Sequence, residues 1–136
     1  VYFPTAPNRT QEKPLFYRCQ LCEHEWKTLD EFLDDPDVVL EGVHAKPTEP
    51  SEGIMYFTHS ANGCGTTFGK RAGEFRELIG KTPFTVDLSE TKYCPGQCSR
   101  PKDFSNCGKP CSSLWVRQVI VAICTRHFDA TQKTSK

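Results

Sequence analysis

The clearest periodic pattern of apolar side chains lies near the end of the chain. Val116, Val119, Ile120, Ile123, Cys124 and His127 fall at i, i+3, i+4, i+7, i+8 and i+11, one stripe of a helix. Ser112 or Ser113 is placed to cap it. Val and Ile also suit a strand over 116–124, but the length and register of the stripe favour the helix. Residues 129–136, "DATQKTSK", read as a flexible polar tail.

Upstream, Trp26, Leu29, Phe32 and Leu33 recur at helical spacing, with Thr28 and Glu31 as a capping pair and Pro36 as the stop. The runs 37–45 and 53–60 are rich in β-favouring residues and flank the Pro-rich turn "KPTEPSEG", which predicts a hairpin. "CGTTFG" (64–69) returns as a third strand after the "SANG" turn. "LFYRC" (15–19) and "FTVDL" (84–88) read as further strands, and "GEFRELIG" (73–80) as a two-turn helix. Residues 1–14 hold three prolines among polar residues and read as a flexible arm. The pattern predicts one α+β domain over 15–128: a small antiparallel sheet, short helices and a C-terminal helix, with loops fixed by Cys-rich metal sites.

Composition sharpens this picture. Hydrophobic residues are 37% of the 136, with ten prolines and nine glycines, so the core is thin and cross-links are expected. Seventeen basic and seventeen acidic side chains cancel, which gives no general pull toward nucleic acid or an anionic membrane. No apolar run is long enough to span a bilayer. The opening stretch has no basic segment followed by an apolar one, so the chain reads as lacking a secretion signal or as already processed. Asn8-Arg9-Thr10 matches a glycosylation sequon, a match that arises easily by chance. The basic stretch "FGKRAGEFR" reads as a solvated face.

Eight cysteines dominate the chemistry. Cys19 and Cys22 form a C-x2-C knuckle, a spacing that turns two thiolates toward one ion. His59 and Cys64, at the end of the predicted hairpin, are the best candidates to complete it, and His24 is a rival. The alternative is that Cys64 packs as a small apolar residue and His59 makes a single hydrogen bond. Cys94, Cys98, Cys107 and Cys111 follow as C-x3-C-x8-C-x3-C, rich in turn residues. Four thiolates there suit zinc or an iron–sulfur cluster, and disulfides compete. Cys124 lies on the apolar stripe and reads as core; a catalytic pairing with His127 lacks an orienting carboxylate, so no catalytic residue is assigned.

The order C-x2-C-x3-W, "DEFLDDPDVVLEG", F-x-H before "CGTT", "GEF" and a CPG-containing cysteine loop resembles a group of small uncharacterised bacterial Cys-rich proteins, over roughly residues 16–126. The resemblance implies a shared architecture and a cytoplasmic bacterial setting, and no reaction. The residues themselves point to a zinc-binding regulatory or protein-interaction module, responsive to redox state or metal supply, with an unidentified protein partner. An iron–sulfur or haem sensor is the alternative, with His59 and Cys64 as axial ligands in the haem case. A secreted disulfide-bonded binding protein is the other.

Overall fold

The computed structural model describes residues 15–134 apart from Thr82. The arm expected over 1–14 lies outside the described residues, as do residues 135–136. Strands β1 (Tyr17–Arg18) and β2 (Glu25–Trp26) pair antiparallel around the C-x2-C turn, with Tyr17 opposite Trp26. Helix α1 (Leu29–Leu33) follows. Its start is the predicted one: the Thr28 hydroxyl accepts from the Glu31 N–H at 3.1 Å, and the Glu31 carboxylate accepts from the Lys27 N–H at 2.9 Å.

Strands β3 (Val38–His44), β4 (Ile54–His59) and β5 (Thr66–Arg71) form an antiparallel sheet with β4 in the middle. The period-2 alternation of β4 turns Met55, Phe57 and His59 to one face. Phe68 of β5 lies opposite Phe57 on that face, and a bulge between Leu40 and Gly42 interrupts β3. A 3-10 segment (Ala72–Leu78) stands where the two-turn helix was expected.

The long helix α2 (Leu114–Thr134) packs on that segment and on β3 through Val116, Val119, Ile120 and Ile123, all buried. The Ser113 carbonyl accepts from the Val116 and Arg117 N–H groups at its start. The helix continues through 129–134, a stretch the sequence pattern had read as polar tail. Between sheet and helix lies an aromatic cluster: Phe32 sits 5.0 Å from Phe57 and 5.3 Å from Trp26, ring centre to ring centre. Trp26 is buried, and its indole N–H donates to Asp35 at 2.9 Å.

Two expectations are corrected. Residues 84–88 are not a strand: Phe84 and Val86 are exposed, so the alternation of "FTVDL" buries nothing. The outer edge of β3 takes the cysteine loop instead, with the Val43 N–H donating to the Pro101 carbonyl at 2.9 Å. Lys70, read as part of a solvated face, is buried. Its ammonium donates to the Phe16 carbonyl at 3.1 Å, lies 2.8 Å from the Glu74 carboxylate, and sits over the Phe16 and Tyr17 rings.

Candidate metal centre

Three separate elements aim side chains at one point. The β1–β2 turn carries Cys19 and Cys22, the end of β4 carries His59, and the residue before the β5 turn carries Cys64. His59 arrives there because it continues the inward alternation of Met55 and Phe57; a one-residue slip would turn it to solvent. Cys64 follows a 3-10 turn (Ala61–Gly63), which is where the expected "SANG" turn brings the chain back.

The ligand atoms of Cys19, Cys22, His59 and Cys64 all lie within 4.8 Å of one another. Cys19 Sγ is 3.5 Å from Cys64 Sγ, and Cys22 Sγ is 3.4 Å from His59 Nδ1. Zn–S and Zn–N bonds of about 2.3 and 2.0 Å give tetrahedral edges of about 3.8 Å (S···S) and 3.5 Å (S···N). These two separations come near those edges, and the whole set lies close enough to surround one ion. His24, the rival, stacks edge-on against Trp26 at 4.7 Å and is not among the four.

Two of the three thiols are drawn below their ordinary value. Burial pushes the Cys19 thiol up, but the N–H groups of Cys22 and Leu21, with His59 and Cys64, outweigh it and bring it down to about 6. The Thr66 hydroxyl, 3.2 Å away, and the Thr66 N–H pull the Cys64 thiol below its ordinary value against the opposing effect of burial. The His24 N–H does the same for Cys22, but burial and the two neighbouring sulfurs win and leave that exposed thiol raised. Burial lowers the His59 imidazole, and the thiolates of Cys19 and Cys64 more than reverse this and raise it.

A local device recurs. Glu23 follows Cys22 at φ 67°, and Gly65 follows Cys64 at φ 65°, both in the left-handed region. This turn brings the next amide, of His24 or Thr66, back to the preceding sulfur.

The other four predicted ligands lie elsewhere. Cys94, Cys98, Cys107 and Cys111 line one small cavity with Gln97, but among the described residues the convergent set is the Cys19 group. Burial raises the Cys98 thiol, Arg117 opposes that, and the nearby Cys107, Cys94 and Cys111 add to the rise. Cys124 is half-buried against the core, with its thiol raised by burial. Sequence reasoning missed Arg117. It is 1% exposed and donates to the carbonyls of Asp103 and, at 3.0 and 2.7 Å, Ser105, so it clamps the cysteine loop from beneath. Its one trace in the sequence is that it breaks the apolar run of the helix.

No family model, curated protein or solved structure matches the chain. Among the described residues, no helix is long and apolar enough to cross a membrane.

Proposed function

We propose that the chain is a zinc-binding regulatory or protein-interaction module in which Cys19, Cys22, His59 and Cys64 hold a structural ion. The observation that carries this reading is the convergence of one imidazole and three thiol groups to within 4.8 Å. The Cys19–Cys64 sulfur separation of 3.5 Å and the Cys22–His59 separation of 3.4 Å are close to the edges of one tetrahedron, which suits a single ion better than a multi-iron cluster. Soft sulfur with imidazole in a tetrahedral arrangement favours zinc. Four protein ligands fill the tetrahedron and leave no position for a reactive water, which argues for a structural role over hydrolysis.

Cys22 is exposed, which opens the centre to oxidants. Two-electron oxidation of two ligand thiolates to a disulfide, with hydrogen peroxide reduced to water, would free the ion and couple redox state to shape.

The test is elemental analysis of anaerobically purified chain, comparing wild type with Cys19→Ser, Cys64→Ser and His59→Ala. Each substitution is expected to remove about one zinc ion per chain. Zinc content unchanged by all three would overturn the assignment. Peroxide should release the same ion in step with loss of free thiols, and zinc retained after thiol loss would remove the redox response.

A further inference from the structure

We infer that Cys94, Cys98, Cys107 and Cys111 hold a second ion, zinc, in an all-thiolate site between the outer edge of the sheet and the start of α2. Three observations lead there.

All four cysteines line a single cavity of about 10 Å³, room for about one water or ion and nothing larger. Four soft ligands and no carboxylate select zinc over a hard cation.

The loop also repeats the left-handed residue after a cysteine that is seen at the first centre. Gly108 follows Cys107 at φ 67°, as Gly65 follows Cys64 at φ 65° and Glu23 follows Cys22 at φ 67°. Gly96, at φ 93°, lies midway between Cys94 and Cys98. All five left-handed residues among those described stand within two positions of a proposed ligand cysteine. One N–H···S bond is already in place, from Leu88 to Cys111 Sγ at 3.3 Å.

The surroundings are built to hold a loop of this kind in one shape. Arg117 clamps its middle, Pro101 docks on β3, and Asp103 accepts from the Ser105 N–H at 3.0 Å. Gln97, which lines the cavity, keeps Oε1 buried without a hydrogen-bond partner. With that amide turned over, its N–H would take the buried place in the cavity that the thiols line. The sulfurs stand looser than at the Cys19 centre. Ion binding draws them in and releases the thiol protons.

The experiment uses the full chain, purified anaerobically and loaded with zinc. N-ethylmaleimide labelling of each cysteine is read by mass spectrometry in the loaded chain, in the chain chelated with EDTA, and after urea. Cys94, Cys98, Cys107 and Cys111 should lose their reactivity together when zinc is bound. Total zinc should be about two ions per chain, one fewer in a Cys98→Ser/Cys107→Ser variant. Equal labelling of the four with and without zinc, while Cys19, Cys22 and Cys64 are protected, removes this site and leaves the first. Labelling in urea that appears only after reduction means disulfides and removes it as well. Protection of the four with Cys19, Cys22 and Cys64 reactive sinks the previous assignment and keeps this one.

Discussion

Glu23 carries a side chain at φ 67°, where an L-residue is strained by roughly 1–2 kcal/mol, while Gly65 meets the same demand without a Cβ. Nothing lies within 4 Å of a Cβ added at Gly65 or Gly108, so an alanine there tests backbone conformation without steric interference. Gly65→Ala should cost about 1 kcal/mol in urea unfolding of the zinc-loaded chain. Glu23→Gly should stabilise it by a smaller amount, since it also removes the exposed Arg18–Glu23 ion pair at 3.2 Å, worth at most about 1 kcal/mol. A neutral Gly65→Ala together with a destabilising Glu23→Gly would mean that the left-handed turns do not shape the thiol environment. The members of the Cys/His cluster were legible at this scale, because C-x2-C and a His–Cys pair at a hairpin end are spacing signals. The left-handed Glu23 was not legible, since no residue preference marks a glutamate for that conformation.

At the scale of elements, the patterns that proved readable are those in which burial alone sets the period. The stripe of α2 and the three strands β3–β5 belong to this kind, while the exposed Thr28–Glu31 cap was readable from its own hydrogen-bonding pair. "FTVDL" had the alternation of a strand but buries neither Phe84 nor Val86, and Pro101 of the cysteine loop meets the outer edge of β3. Strand pairing is a property of the edge as much as of the segment. Lys70 likewise looked solvent-facing by charge, and the register of β5, inward at Phe68 and Lys70, overrode it. Arg117 is the element-scale prediction. Arg117→Met keeps the stem on α2 and leaves the Asp103 and Ser105 carbonyls without their donor, at about 1–3 kcal/mol for each carbonyl that stays buried. Hydrogen exchange should rise over 94–111 while the β3–β5 sheet stays protected. Unchanged exchange in the loop would show that Arg117 does not clamp it.

For the whole molecule, a thin core makes the cross-links part of the fold. The proposed Cys19 centre ties the β1–β2 turn to the end of β4, with Cys22 and His59 separated by 37 positions. Without an ion, that loop closure rests on the aromatic cluster and on the contact of Lys70 with the Phe16 carbonyl. Ligand binding to the folded state alone adds about 2.7 kcal/mol at one hundred times the dissociation constant and about 4.1 at a thousand. Unfolding midpoints should therefore climb with free zinc, a dependence that a merely adventitious ion would not give at micromolar supply. Trp26 can report the local event, since its ring centre is 4.9 Å from that of His59, whereas Trp115 lies under Arg76 at 4.3 Å. In a Trp115→Phe chain, EDTA should shift Trp26 emission toward the red and restored zinc should reverse it, at a denaturant concentration where the loaded chain stays folded. Emission and unfolding midpoint both unmoved by EDTA, with zinc confirmed lost, would mean that the aromatic cluster holds the turn and the hairpin together unaided and that the ion is cargo, not structure.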